Sequence, residues 1–434
     1  PAGAVVIDAT GRHVTAGLID CHSHTAISRG VNEGGSAVTV EVRVGDVLDA
    51  TDVGIYRQLG GGLTVANLLH GSANPMGGQN QVIKLRWGAP PEELKFAGAK
   101  PGVKFALGEN VKRSNFTPPA GTPVRYPQTR MGVEQIMADT FAQARDYERA
   151  GREFKAGQAP LPPRRNLRLE AALEILKGER VVHIHSYRQD EVLMFIRLAQ
   201  REKLTVATFQ HILEGYKVAD EMAKLGAGGS AFSDWWAYKY EVADAIPHGG
   251  AMMRAAGVVV SFNSDNNELA RRLNTEAAKA VKYGGVPEDE ALKFVTLNPA
   301  QQLRIDDRVG SLEPGKDADF VIWSGSPLST YTRAEQTWID GRRYFSLEDD
   351  AALRAAATTE REALAQKALA ERMRTLVAGG PAAGARRSGD APAATEPPGV
   401  LRVLEAIEAR HAREHQSIYH DGADALNCST HALQ

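Results

Sequence analysis

Cysteine is almost missing from this 434-residue chain, which has only Cys21 and Cys428. Two thiols cannot build a disulfide framework, so a small stapled scaffold is excluded; Cys21, between Ile19 and His22, is expected to be a buried free thiol. An excess of one charge is missing too. The 51 basic and 53 acidic side chains leave a formal charge of −2, which offers no basic field for nucleic acid and no charge block for a membrane surface. Long hydrophobic runs are also lacking, the longest falling far short of the roughly 18 apolar residues that a membrane span needs. What remains is a globular chain, expected to be soluble, with length for a large core and more than one domain. It starts at Pro1 with no signal peptide, so it is expected to begin inside a longer polypeptide or to have been processed, and its compartment stays open.

What is present starts with His22-Ser23-His24, closing the apolar run Gly17-Leu18-Ile19-Asp20-Cys21. Residues two apart in a strand project from the same face, so this run places two imidazoles side by side at a strand end. Paired imidazoles pack poorly in a core but begin a metal site well, because neutral imidazole is a favoured Zn²⁺ ligand.

Further along, apolar strand-like runs at 63–69, 103–107, 181–184, 205–209 and 258–262 alternate with helical periodicity at 131–154, 190–201, 215–225 and 269–283. Such alternation over about 250 residues implies a parallel sheet, and a (β/α)8 TIM-like barrel is its commonest closed form at that length. The expected organisation is a barrel over 17–308 and a small β-sandwich built from both chain ends, 1–16 and 309–345. A helix over 346–377, a Gly-, Pro- and Ala-rich linker over 378–399, and a C-terminal helix and tail over 400–434 follow.

Four more positions extend the histidine pair. Val181-Val182-His183-Ile184-His185 repeats the alternating pattern, His211 ends a third strand, Asp265 follows a fourth, and Glu109 lies just past Phe105-Ala106-Leu107. Histidines and carboxylates gathered at strand ends can hold divalent cations, which acidify bound water and polarise a carbonyl. Asp265 is placed to touch both metal and nucleophile, taking a proton and delivering it to a leaving nitrogen.

At this point the chain resembles the amidohydrolase superfamily, particularly its imidazolonepropionase-like and prolidase-like members. The matching stretches are Thr15–His24, Leu107-Gly108-Glu109-Asn110, His185, His211-Ile212-Leu213-Glu214-Gly215, Ser264-Asp265, Leu297-Asn298-Pro299-Ala300 and Gly310–Asp319. The resemblance implies a barrel beside a sandwich, and hydrolysis of a C–N or similar bond by metal-activated water. It implies His22, His24, His185, His211 and Asp265 as ligands of divalent metal, two Zn²⁺ with Mn²⁺ or Fe²⁺ as alternatives, and Asp265 as the catalytic proton shuttle. Many members bridge two metals with a carboxylated lysine. Here Glu109 occupies the strand-end position and is expected to bridge, with Lys104 as its rival deeper in the strand. Family members usually carry more N-terminal sandwich strands; without them an open edge favours association, and a homo-oligomer is expected.

Other residues carry two readings each. His183 shares a face with His185 and is expected beside the site, not as a ligand. His70 and Arg188 are candidate substrate-binding groups, the arginine for a carboxylate, against a structural hydrogen bond and a solvated surface charge. The glycine-rich stretch 71–80 is expected to be a loop at the mouth of the barrel, and Trp235 and Trp236 an aromatic wall or a packing pair. His248 is expected to be a loop histidine. His411, His415, His420, Cys428 and His431 are weighed as a tail metal site against a solvated face. The function expected is hydrolysis of a small amide, cyclic amide or dipeptide-type bond; the alternatives are an inactive scaffold, or a lactonase or phosphoesterase on the same site.

Overall fold

Strands buried on both faces, separated by amphipathic helices, are the pattern of a parallel sheet covered on both sides. The computed structural model describes residues 6–112, 121, 125–233 and 239–377, and its strands form three sheets. In chain order they are β1 (His13–Ala16), β2 (Leu18–Ser23), β3 (Leu63–Leu68), β4 (Met76–Gln79), β5 (Gln81–Lys84), β6 (Gly102–Ala106), β7 (Val181–His185), β8 (Val206–Gln210), β9 (Gly228–Ala231), β10 (Val260–Phe262), β11 (Phe320–Trp323), β12 (Ala334–Ile339) and β13 (Arg342–Ser346). Strands β6 to β10 run parallel in one ladder, and β2 and β3 are parallel in another. Parallel neighbours need long crossovers. Helices Arg130–Lys155 and Leu167–Leu176 lie between β6 and β7, Gln189–Glu202 between β7 and β8, Ala219–Leu225 between β8 and β9, and Gly249–Ala255 between β9 and β10.

Two expectations change here. Eight parallel strands in one closed cylinder are not what the described residues form: seven have a parallel neighbour, split between two sheets. The stretch expected as a loop at 71–80 enters β4, and β4 and β5 pair antiparallel with β6 and β3 respectively. Glycine permits this course, since a Cβ on Gly77 would sit 2.8 Å from the His70 ring and 3.1 Å from the Lys104 carbonyl. Side chains tie the two ladders together. The Asn80 side-chain amide donates to Asn67 on β3 while its backbone N–H donates to Gly102 on β6. Beyond β10, the Ser264 N–H and hydroxyl donate to Asp20 on β2 at 3.1 and 2.5 Å.

Strand β1 pairs antiparallel with β11, and β11, β12 and β13 complete a four-stranded sheet. The described residues divide into two compact units, one within 6–345 and the other 346–377. In the second, helix Leu347–Val377 opens with Glu348, Asp349 and Asp350 in its first turn, where acidic groups complement the helix dipole. The expected linker and tail, with the five tail residues His411, His415, His420, Cys428 and His431, lie outside the described residues, as do Trp235 and Trp236.

Candidate metal centre

His22 ends β2 one residue before the strand stops, and His24 follows it, so the period of two presents both rings to one side. Their centroids are 5.1 Å apart. Asp265, beyond β10, brings Oδ1 to 3.3 Å from His22 Nε2 and 3.1 Å from His24 Nε2. Among the described residues, these are the three whose ligand atoms fall within 4.8 Å of one another. His211, following β8, approaches the other carboxylate oxygen at 3.7 Å, and its ring lies 4.3 Å from His22 and 4.8 Å from His185.

The backbone is bent to achieve this. His211 and Asp265 have φ of 59° and 45°, the left-handed region that side chains other than glycine adopt only at a cost. Asp20, absent from the candidates, holds the frame. Its carboxylate accepts from the His22 N–H as well as from Ser264, while the Asp265 N–H donates to the His22 carbonyl. Burial pushes the Asp20 carboxyl up to about 7, against the pull of those hydrogen bonds.

The donor set fits a cation. His24 Nδ1 lies 2.9 Å from the Leu69 carbonyl. A carbonyl only accepts, so Nδ1 carries a proton and Nε2 is the nitrogen turned toward the carboxylate of Asp265. Both ring nitrogens of His185 and of His211, and Nδ1 of His22, are buried without a hydrogen-bond partner, which is uncommon for polar atoms away from water. Burial, reinforced by neighbouring positive charge, drives His22 and His185 well below the ordinary histidine range, and burial brings His211 to about 3. These three are therefore neutral, the form that binds metal. Burial raises Asp265, but the neighbouring His211 and His24 rings outweigh it and keep the carboxyl below its usual range.

The other expected site residues are placed as follows. Glu109 opens the short helix Glu109–Lys112 beyond Gly108, whose φ of +91° turns the chain, and its N–H donates to Glu241. Its carboxylate is not among the converging ligand atoms. The residue that does approach is Lys104, with Nζ 3.3 Å from His22 Nε2 and 3.3 Å from the His70 carbonyl. Lys104 starts deeper in β6, but four methylenes carry its ammonium up beside His22. His70 is not free for substrate: Nδ1 lies 2.8 Å from the Gly71 carbonyl, and Nε2 accepts from the Glu33 N–H at 2.8 Å. Both nitrogens are engaged by backbone, which fixes the segment at residue 33 against β3. Arg188 precedes helix Gln189–Glu202 and pairs with Asp190 at 3.0 and 3.2 Å. His183 is buried on β7, opposite Lys104 in the register, and His248 is exposed. Tyr187 and Phe232, unanticipated, wall one side, edge-on to His185 at 4.5 Å and stacked on His211 at 4.8 Å.

A model of the amidohydrolase family matches residues 170–347. The chain is 31% identical over 375 residues to the amidohydrolase tasK of Hapsidospora irregularis, covering 80% of this chain but 38% of that protein. It is 31% identical over 121 residues to an imidazolonepropionase of Thermoplasma volcanium, covering 27% of this chain and 29% of that one. A solved amidohydrolase from Thermotoga maritima MSB8 superposes with a TM-score of 0.72 at 31% identity, over 80% of this chain and 90% of the other. The chain thus spans under two fifths of the length of the curated relatives just named, and nearly all of the solved one. It belongs to the amidohydrolase family.

Proposed function

We propose that this chain is a divalent-metal-dependent hydrolase that cleaves a C–N bond, an amide or cyclic amide, in a small molecule. The observation that carries the reading is the convergence of His22, His24 and Asp265 ligand atoms within 4.8 Å of one another, beside His185 and His211, whose buried ring nitrogens have no hydrogen-bond partner. His22, His24 and Asp265 would hold one ion, and His185 and His211 a second. The two ladders, tied through Asn80 and through Asp20 with Ser264, support a (β/α)8 barrel in which β4 and β5, consecutive strands on the edges of the two ladders, stand for one parallel strand.

When bound, divalent metal lowers the pKa of water toward neutrality and polarises a carbonyl. The protein's own groups then move the proton. Asp265, ionised and buried, accepts it from the attacking water and returns it to the departing nitrogen. Tyr187 and Phe232 keep water from the histidines on their side. Dialysis against a strong chelator is expected to abolish hydrolysis across a panel of N-acyl amino acids, dipeptides and cyclic amides, and Zn²⁺ or Mn²⁺ to restore it. Metal-reconstituted protein that hydrolyses none of them would favour the scaffold reading instead.

Lys104 is the better claimant than Glu109 for a bridge between two ions. Its amine would gain a carboxylate by adding CO2 and losing a proton, as in the carboxylated lysine of related sites. Lys104→Met is then expected to lower bound metal by roughly half in elemental analysis, since losing a supporting group weakens metal affinity by about 10- to 100-fold. Glu109→Gln is expected to leave metal content unchanged; the reverse pattern would restore Glu109 as the bridge.

A further inference from the structure

We infer that the site takes substrates with a carboxylate near the scissile bond, and that Lys239 is the cation that receives it. This rests on the hydrolase reading above and deepens it. Lys239 Nζ lies 4.5 Å from the centre of the Tyr187 ring, whose edge meets His185 at 4.5 Å, so the ammonium stands one aromatic ring away from the candidate metal ligands.

Lys239 is not an ordinary solvated lysine. Its side chain is 19% exposed and pairs at 2.7 Å with Glu241, which is 2% exposed. Glu241 also accepts the Glu109 N–H at 3.1 Å, and Arg130 lies 3.8 Å from it while pairing at 3.0 Å with Glu191, another carboxylate 2% exposed. Glu191 in turn accepts the Gly108 N–H. Burying such pairs is costly, because the charges lose hydration that their attraction only partly replaces. The network ties the turn after β6 to Lys239 and holds its ammonium over the Tyr187 ring that packs on His185. An ammonium carries three donors on a compact charge. Held in advance, it can receive a carboxylate without the ordering cost that a mobile lysine would incur.

The test uses the metal-loaded full chain and two matched series, N-acetyl amino acids and the same compounds as their C-terminal amides. Lys239→Met is expected to raise KM for the acids by about tenfold or more, the effect of losing one charged hydrogen bond, with kcat little changed and the amides unaffected. Lys239→Arg is expected to recover most of the affinity. A structural role for the ion pair would instead damage both series equally, and that result would overturn the inference. Calorimetric titration with a free amino acid product gives a readout independent of turnover: wild type should bind it more tightly than Lys239→Met, and equal binding overturns the assignment even if hydrolysis proceeds. If the wild type hydrolyses neither series while the amino acid still binds through Lys239, the hydrolase reading falls and the carboxylate site stands.

Discussion

Asp265→Asn is expected to lower kcat by about 10³-fold, in the range that a positioned acid–base group contributes, while much of the bound metal is retained. The substitution is well suited to the question. Asparagine has the same shape and, like aspartate, tolerates the positive φ that position 265 requires, so the turn beyond β10 should survive. One amide oxygen still faces His22 and His24. What is lost is the negative charge and with it the ability to accept a proton from water. Elemental analysis of the variant beside steady-state kinetics separates the two roles. Full turnover would end the proton-shuttle assignment, whereas loss of metal in step with loss of rate would make Asp265 a ligand only.

The five positions that the sequence singled out and the structure brings near one another share one property. His22, His24, His185, His211 and Asp265 all follow an apolar run closely, so strand period and strand end together announce their direction. Lys104 had no such announcement. Named only as the rival bridge, it sits inside β6 among Val103, Phe105 and Ala106, where a lysine looks misplaced unless its stem is credited with carrying the ammonium to His22. Asp20 was hidden for a similar reason: a carboxylate within an apolar strand declares a buried partner but not which one, and that partner, Ser264, is 244 positions away. Strand β9, Gly-Gly-Ser-Ala, carries no hydrophobic period at all. Its small residues answer to packing, since a Cβ on Gly229 would press Ile212 and Met222 at 3.2 Å. Strand β4 was concealed by the same glycines that suggested a loop. Sequence therefore disclosed chemistry where ligand and strand coincide, and concealed it where a long or distant side chain supplies the group.

The largest effect on stability is expected far from the histidines. Lys84, at the end of β5 and 1% exposed, is surrounded by Asp317 at 2.8 Å, Asp319 at 3.0 Å and Asp340 at 2.5 Å, which joins β3's neighbour to the sheet formed by the chain ends. Lys84→Met keeps the apolar stem and removes the charge, leaving a buried carboxylate, Asp319, without its cation. Breaking a buried pair by removing one partner costs about 3–5 kcal/mol; Asp317 and Asp340 keep Arg308 and Arg86 and should add little. The pH dependence follows from the carboxyls. Burial raises all three, but hydrogen bonds from Arg308 and Lys84 bring Asp317 below 3.8, and those from Lys84 and Arg86 do the same for Asp340. A carboxyl lowered on folding contributes stability that is present above its unfolded pKa and disappears as pH falls through its folded one. Asp319, raised by burial despite Lys84, has the opposite sign and weighs against the fold near neutrality; without Lys84 that weight grows. The gap between wild type and Lys84→Met in urea unfolding should thus be widest near pH 7 and narrow as the solution is acidified below about pH 4. A gap of less than about 1 kcal/mol at pH 7, or one that does not change with pH, would mean that the three carboxylates and Lys84 contribute no more than a surface ion pair.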